Sequence, residues 1–336
     1  MSEAQNDQSA AAAAETAARF ARFARDEAPG RSERYAEWAA GVAGDAEICA
    51  ALAVLPPPHR QPPLVFAVVR MLGAADLPGA AGFAEFARFF RREAPRIVTE
   101  CAARSTQTNE PLRCAPLTWA LDRVDGPIAL VEVGASAGLC LFPDRYAYEF
   151  RADGAAPAHL GSGPVHLCAE LRGGVAAPAR LPDVVWRAGI DLAPRDAADA
   201  DDRAWISGLV WPGETERARR IDAALDIAAA ASPLLVAADA SAPGVLGDLV
   251  ARARSEAPDA TVVVTTPGVL PHVPRAARER LIGIIRGLGV RWVTLDHAGA
   301  HDAWTRPVGT GEGFVLALDA EPIARADPLG AWIAPV

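Results

Sequence analysis

The first residues with chemical potential lie in a glycine-rich stretch, "IALVEVGASAGLCLF", residues 128–142. Apolar residues precede and follow the glycines, so we expect a tight turn at the end of a buried strand. Ser136 lies in a G-x-S-x-G pattern, in which the serine of a sharp strand-to-helix turn acts as a nucleophile. Gly134 and Gly138 would equally let backbone amides approach a bound cofactor. The stretch therefore allows two chemistries, a serine nucleophile or a cofactor-binding loop.

Aspartates follow the next two predicted strands. The strand predicted in "DVVWRAGIDL" ends at Asp191, and the strand predicted in "PLLVAADA" ends at Asp239. In a doubly wound sheet the ligand lies beyond the carboxyl ends of the strands, so both side chains would face it. A carboxylate at the first position suits two ribose hydroxyls, and one at the second suits an adenine amino group. Either aspartate is alternatively a helix cap or a turn residue, positions where aspartate is common.

A polar segment, "QTNEPLR", joins the N-terminal half to the predicted first strand. Its polar side chains are Gln107, Thr108, Asn109, Glu110 and Arg113. Such a density of amide, hydroxyl, carboxylate and guanidinium groups suits a substrate-binding pocket at a domain boundary, where small-molecule sites often occur. The alternative is a solvated loop in which Thr108 or Asn109 caps the following helix.

The loop after the fourth predicted strand, "TTPGVLPHVP", contributes Thr266 and His272 as candidate catalytic residues. Histidine titrates near neutral pH and suits a general base. The alternative for His272 is a structural or solvated side chain.

A metal site is not predicted. His297 and His301 lie near Asp296 and Asp302, but the segment is predicted to be a loop without the ligand spacing of a helix. The five cysteines are scattered and never in C-x-x-C spacing, which indicates neither a zinc site nor a disulfide framework.

These residues must be positioned by two kinds of structure. We expect a disordered leader over residues 1–14, because they are small, polar and low in complexity. Residues 15–121 have helical periodicity and predict an all-helical domain. Residues 122–336 alternate strands with helices, which predicts an α/β domain with a doubly wound, mostly parallel sheet. "RYAYEF" and "PVHLCAEL" predict a hairpin inserted at about residues 145–172.

The order of elements favours the cofactor interpretation of "GASAG". "IALVEV" is the first predicted strand, whereas a hydrolase nucleophile normally follows several strands and an upstream oxyanion loop. A triad of Ser136, Asp239 and either His272 or His297 nevertheless stays possible on spacing.

"VEVGASAG", "GIDL" and "AADA" resemble motifs of the class I S-adenosylmethionine-dependent methyltransferases, over roughly residues 120–320. The resemblance implies a methyltransferase-like Rossmann sheet and S-adenosylmethionine as cofactor. It implies the cofactor-binding residues Glu132, Gly134, Ala135, Ser136, Gly138, Asp191 and Asp239. Two features depart from those motifs: Ser136 replaces the middle glycine, and the inserted hairpin delays the second core strand. Glu149, nearer to the usual spacing, therefore competes with Asp191 for the ribose.

A second resemblance covers almost the whole chain. "ARSTQTNEPLRCAPL", "GASAGL", "DRYAYEF", "WRAGIDLAPRD" and "GLVWP" are similar to an uncharacterised bacterial family, domain-of-unknown-function family 2332. This resemblance implies no activity.

The composition restricts the classes of function. The chain has 33 basic and 42 acidic residues, and every basic residue is arginine, which excludes lysine Schiff-base and P-loop chemistry. A net charge of −9 disfavours nucleic acid as a partner. Neither a signal peptide nor an apolar run of about 20 residues is evident, so we expect a cytoplasmic protein without membrane contact.

The leading hypothesis is S-adenosylmethionine-dependent methylation of a small-molecule acceptor. The alternatives are a non-catalytic module that binds the same cofactor or a nucleotide, and a serine hydrolase that uses Ser136.

Overall fold

The computed structural model describes residues 3–74 and 82–336. They form two compact units: the first comprises Met1–Thr108 and Ala200–Arg219, and the second comprises Asn109–Asp199 and Arg220–Val336. The sequence placed the division after residue 121 instead. In the structure, the helix at Cys114–Leu121 is buried along its whole length and packs on strands of the second unit.

In the part of the chain that the structure describes, the elements before residue 127 are helical, and helices alternate with strands over residues 183–296. In order the α-helices are α1 (Glu3–Asp26), α2 (Glu33–Gly44), α3 (Ala46–Ala53), α4 (Pro62–Met71), α5 (Phe83–Ala103), α6 (Cys114–Leu121), α7 (Ala200–Gly208), α8 (Thr215–Ala231), α9 (Val245–Glu256) and α10 (Arg275–Gly287). Among the described residues, none of these helices combines the length and the apolar character needed to cross a bilayer.

The first unit is helical around an aromatic core. Ser32 and Asp45 cap α2 and α3 by accepting hydrogen bonds from the backbone N–H groups of Tyr35 and Ile48. Phe20 and Phe23, both on α1, are fully buried. Helix α1 begins at Glu3, inside the segment for which a disordered leader was predicted; its run of alanines, the strongest helix formers, accounts for this difference.

The second unit contains one eleven-stranded sheet. Its strands are β1 (Pro127–Val133), β2 (Ala147–Ala152), β3 (Ala158–Leu160), β4 (His166–Leu171), β5 (Asp183–Asp191), β6 (Leu234–Ala237), β7 (Thr261–Pro267), β8 (Arg291–Asp296), β9 (Phe314–Leu318), β10 (Glu321–Ala326) and β11 (Trp332–Ala334). Their order is β3-β2-β4-β11-β10-β9-β8-β7-β1-β5-β6. The fold is therefore α/β with a large, mostly parallel sheet and an N-terminal helical region, as predicted.

The order in which the chain adds strands to the centre of the sheet reverses at β1. The chain moves from β1 through β5 to β6 on one side, and then from β7 to β8 on the other, with all five strands parallel. The crevice at such a reversal, beyond the carboxyl ends of the strands, is the usual ligand position in an open α/β sheet. The carboxyl ends of β1, β5 and β7 are therefore the place to examine.

The insertion between β1 and β5 contains three strands. The hairpin predicted from "RYAYEF" and "PVHLCAEL" is wrong in its pairing, because these segments form β2 and β4, which run parallel to each other. Strands β2 and β3 form an antiparallel hairpin, and β4 returns parallel to β2 and pairs with β11, which joins the insertion to the main sheet. Between β1 and β5, all of whose residues are described, the chain forms short 3-10 turns at Leu139–Leu141 and Pro143–Arg145 but no α-helix. The loop after β1 therefore opens into the insertion and not into a helix N-terminus.

Candidate functional site

The "GASAG" loop leaves β1 in a strained backbone conformation. Gly134, Ser136 and Gly138 have φ angles of 79°, 49° and 74°, of which only the value at Ser136 belongs to a residue with a side chain. The N–H groups of Gly134 and Ala135 donate to the carbonyl oxygen of Ile190, at 2.8 and 3.2 Å. The end of β5 thus holds the start of the loop.

Asp191 holds the middle of the loop. One carboxylate oxygen accepts the Ser136 N–H at 2.8 Å, and the other accepts the N–H of Ala193, also at 2.8 Å. The carbonyl oxygen of Ser136 in turn accepts the N–H of Arg195 at 3.1 Å. An ionised carboxylate offers about four lone-pair sites, so Asp191 retains capacity for two further donors.

The loop amides do not form the open cradle that the sequence predicted. The N–H of Gly138 donates to Ala135 at 2.7 Å, and that of Ala137 donates to Asn109 Oδ1 at 3.4 Å, so every amide from 134 to 138 has an acceptor within the protein. A Cβ at Gly134 would lie 2.5 Å from Val269 Cγ2, which makes the glycine a packing requirement. A ligand here would meet side chains instead of backbone N–H groups.

Buried polar atoms without hydrogen-bond partners are concentrated in this part of the second unit. Within the described residues they are Ser136 Oγ, Asn109 Nδ2, Glu132 Oε2, Thr265 Oγ1, Asp296 Oδ1 and His301 Nε2, whereas the first unit has two tryptophan N–H groups. Glu132 and Thr265 stand opposite each other in the β1–β7 register and share a face of the sheet. Because buried polar groups are normally hydrogen-bonded, these atoms mark a polar site.

Arg113 lies on the β7 side of β1, opposite the β5 side, where Asp191 lies. Its Nε donates to the carbonyl oxygen of Pro328 at 2.9 Å, and its Nη1 donates to that of Pro267, the last residue of β7, at 3.0 Å. A Cβ at Gly268 would lie 2.8 Å from Nη2, so glycine allows the guanidinium to lie against the backbone. Arg113 therefore caps the carboxyl end of β7 at the reversal of the sheet.

The charge of this guanidinium acts on two buried carboxyl groups, Glu132 and Asp296. Burial raises the pKa of Glu132 well above its usual range, with Cys140 raising it further and the charge of Arg113 opposing the shift. Burial also raises the pKa of Asp296 to about 8, against the hydrogen bond from Thr294 and the charge of Arg113. The Leu270 backbone N–H also favours the ionised form of Asp296 and so opposes this rise in pKa. Asp296 Oδ1 itself has no hydrogen-bond partner among the described residues.

His272 is an exposed residue, but neighbouring protein atoms remove part of the water around its imidazole ring. Desolvation lowers its pKa, and the positive charge of Arg113 lowers it further. Of the two predicted catalytic residues, His272 therefore lies within the electrostatic reach of Arg113.

Thr266 is not available for catalysis in this structure. Its hydroxyl is fully buried and accepts the indole N–H of Trp292 at 3.0 Å. Thr265, which the sequence analysis overlooked, points to the opposite face and carries the unpartnered hydroxyl. The period-two alternation in "TVVVTTP" indicates that Thr265 and Thr266 point to opposite faces of the sheet. It does not indicate which of the two faces carries the unpartnered hydroxyl.

Three predicted ligands have structural roles. Asp239 is exposed and accepts the N–H of Ser241 at 2.8 Å, the turn role that was its alternative. Glu110 is buried and accepts from the backbone N–H of Leu112 and from Arg220 Nε, at 3.0 and 2.9 Å. Glu149 pairs with Arg151 on β2, which neighbours β3 and β4 and not β1, so the structure does not support it as a competitor of Asp191.

The polar segment "QTNEPLR" is divided between the two units. Gln107 and Thr108 belong to the first unit, whereas Asn109, Glu110 and Arg113 belong to the second. Asn109 and Arg113 are the members that the structure places at the ends of β1 and β7.

The histidine-rich loop shows a packing role for His301. Its Nδ1 accepts the N–H of Ala303 at 3.1 Å, and its ring lies 3.9 Å from that of Trp304. Burial lowers its pKa to about 4. In the described part of the chain, no group of three or more His, Cys, Asp or Glu side chains is arranged to hold a metal ion.

A family model described as an uncharacterized protein conserved in bacteria, DUF2332, matches residues 17–334. The chain belongs to DUF2332. Comparisons with curated proteins and with solved structures gave no significant match.

Proposed function

We propose that the second unit binds S-adenosylmethionine at the carboxyl ends of β1 and β5 and transfers its methyl group to a small-molecule acceptor. The observation that carries the proposal is the position of Asp191. It ends the strand next to β1, accepts one N–H of the loop, that of Ser136, and one of its own following turn, that of Ala193, and retains lone pairs for the two hydroxyls of a ribose.

The strand order supports a methyltransferase-like arrangement. Counting only β1 and the four strands parallel to it around the reversal, the order is third, second, first, fourth, fifth. Beyond β8 the sheet continues with β9, which is antiparallel to both β8 and β10, and then through β11 to the insertion β2–β4. A ligand is expected in the crevice at this reversal. Because Asp191 ends β5, the proposal assigns the nucleotide to the β1–β5 side and a second ligand to the β1–β7 side.

The unpartnered polar atoms support the same proposal. Ser136 Oγ, Asn109 Nδ2 and Glu132 Oε2 would contact the polar amino-acid portion of the cofactor. When bound, S-adenosylmethionine supplies an electrophilic methyl group, so the task of the protein is alignment of the acceptor. His272, whose lowered pKa leaves its imidazole neutral at pH 7, would accept a proton from an acceptor that must lose one.

The test is calorimetric titration of S-adenosylmethionine and of its demethylated product into three proteins: wild type, Asp191→Asn and Asp319→Asn. Asp319 is a matched control, because it also holds a backbone N–H, that of Trp292 at 2.8 Å, but at the amino end of β8. We expect binding by wild type, about tenfold or more weaker binding by Asp191→Asn, and unchanged binding by Asp319→Asn. No binding by wild type, or equal losses in both variants, would reject the proposal.

Turnover separates the enzyme from a non-catalytic module. Methyl transfer to any member of an acceptor panel supports the enzyme. Tight binding of S-adenosylmethionine without transfer to any acceptor supports the module.

One observation keeps the serine hydrolase as a second candidate: Ser136 has a φ of 49° at a strand end, as a nucleophile elbow requires. Against it, the Ser136 hydroxyl is buried and has no hydrogen-bond partner among the described residues, whereas a nucleophile needs a neighbouring base. Labelling of Ser136 by a fluorophosphonate would favour the hydrolase.

A further inference from the structure

Arg113 is a half-buried cation without a carboxylate partner in the described ranges. Its two hydrogen bonds go to backbone carbonyl oxygens, those of Pro328 and Pro267. A guanidinium has five N–H groups, so three are not used by these contacts. Carbonyl oxygens carry only partial charge, and the positive charge of Arg113 is therefore not neutralised by a direct ion pair.

The position of this cation is set by the fold. Pro267 ends β7, and β7 lies beside β1 at the reversal of the sheet. Gly268 follows with a φ of 72°, and a side chain there would collide with the guanidinium. The reversal of strand order at β1 and the missing side chain at Gly268 together place Arg113 where a ligand of an open α/β sheet binds.

The protonation states of the neighbouring titratable groups indicate which ligand charge fits beside Arg113. Burial favours the protonated forms of Glu132 and Asp296, and His272 is favoured in its neutral form. Of these four groups Arg113 then carries the charge at neutral pH.

The charges of Asp191 and Arg278, which act on Glu132 and Asp296, are opposite in sign, so the net local charge is one positive charge. A monoanion balances one positive charge, whereas a dianion such as phosphate would leave a net negative charge among buried groups. A planar carboxylate also matches the geometry of a guanidinium.

We propose that Arg113 binds the carboxylate of the acceptor, so that the substrate is a small monocarboxylic acid held at the β1–β7 side of the site. The identification of this ligand as an acceptor rests on the proposed methyl transfer. The binding of a carboxylate at Arg113 does not.

The experiment uses acetate as the probe and inorganic phosphate as the comparison. Binding to the full-length protein is followed by the NMR line width of 13C-acetate and of the 31P signal of phosphate. We expect acetate to bind more tightly than phosphate, and Arg113→Gln to weaken acetate binding by about tenfold to hundredfold. Preferential binding of phosphate would overturn the proposal.

The matched control is Arg254→Gln. Arg254 also donates to two backbone carbonyls, those of Leu288 and Gly289, but on α9. We expect it to leave acetate binding unchanged. An equal loss in both variants, or no loss in Arg113→Gln, would contradict a specific site.

Gly268→Ala tests the site with Arg113 retained, in case Arg113→Gln fails to fold. The added methyl displaces the guanidinium, so we expect weaker acetate binding than in Gly154→Ala, a control with the same φ of 72° but open space around its Cβ. Equal acetate affinity in the two glycine variants would count against the proposal. Acetate binding that depends on Arg113, in a protein that does not bind S-adenosylmethionine, would uphold the carboxylate site and reject the methyltransferase.

Discussion

At the scale of single residues, Asp296 makes the stability of the second unit depend on pH. Its pKa is about 8 in the native state, against 3.8 for an ordinary aspartate. Between those values the native state holds a proton that the unfolded state has lost, so the free energy of unfolding falls as pH rises. The stabilisation is complete below about pH 4 and is lost as pH rises through 8.

We therefore predict that Asp296→Asn flattens this dependence. Asparagine is isosteric with the protonated acid and its oxygen can accept the 2.7 Å hydrogen bond from Thr294. Relative to wild type, the variant should become progressively more stable from pH 5 to pH 8, as measured by urea denaturation at each pH. Asp319→Asn, which alters a partly exposed carboxylate, serves as the control. Parallel profiles for wild type and Asp296→Asn would contradict the prediction.

His301 acts in the opposite direction. Its pKa is about 4 in the native state, against an ordinary 6.5. Its neutral form therefore stabilises the fold above pH 6.5, and this contribution is lost as pH falls toward 4. Between those values the effects of His301 and Asp296 oppose each other, and above pH 6.5 the effect of Asp296 acts without that opposition.

At the scale of elements, the turn after β1 is held by packing against the loop after β7. A Cβ at Gly134 would lie 2.5 Å from Val269 Cγ2, whereas one at Gly126 would meet nothing within 4 Å. Both glycines have similar φ angles, 79° and 76°. Alanine substitutions at these two glycines therefore separate the destabilisation caused by backbone strain from that caused by overpacking.

We predict that Gly134→Ala and Gly126→Ala each lose about 1–2 kcal/mol through backbone strain. Gly134→Ala should lose about 1–3 kcal/mol more through overpacking. Combining Gly134→Ala with Val269→Ala should remove part of that excess, because the 2.5 Å contact with Cγ2 is lost while Cβ of residue 269 stays at 2.8 Å; a double-mutant cycle of unfolding free energies measures the recovery. Additive losses in the double variant would show that Val269 is not the cause.

The sequence predicted the central elements well, because their signals are local. An apolar run ended by glycine identified β1, a segment ended by Asp191 identified β5, the apolar run "ATVVVTT" identified β7, and the order of elements predicted the parallel sheet. The roles of Thr265 and Thr266 depend instead on which face of β7 each side chain occupies, and the sequence is symmetric there. Likewise, Asp239 and Glu110 were predicted from their residue types, but their hydrogen bonds depend on neighbours that only the fold brings together.

At the scale of the whole molecule, each unit has its own core. The buried cluster of the first unit shares no residue with that around β1 and β7. Phe66 is central to the first, with ring centroids 4.8–6.2 Å from those of Phe20, Phe23, Tyr35, Trp38 and Phe86.

We predict that Phe66→Ala destabilises the first unit by about 3–5 kcal/mol. Hydrogen exchange followed by mass spectrometry should show lost protection in α2 and α4, with β1 and β7 still protected. Ile285→Ala, in the core of the second unit, should produce the reverse pattern. Equal loss of protection in both units for either variant would show that they unfold as one.

The first unit is built from two separated pieces of chain, and Trp205 and Trp211 of the second piece lie in its aromatic core. A gene fragment that stops after Thr108 would encode this unit without either tryptophan. A fragment that starts at Asn109 would carry residues 200–219 with their apolar side chains deprived of partners. The chain passes from one unit to the other at three points, after residues 108, 199 and 219, so no single cut yields two self-sufficient pieces.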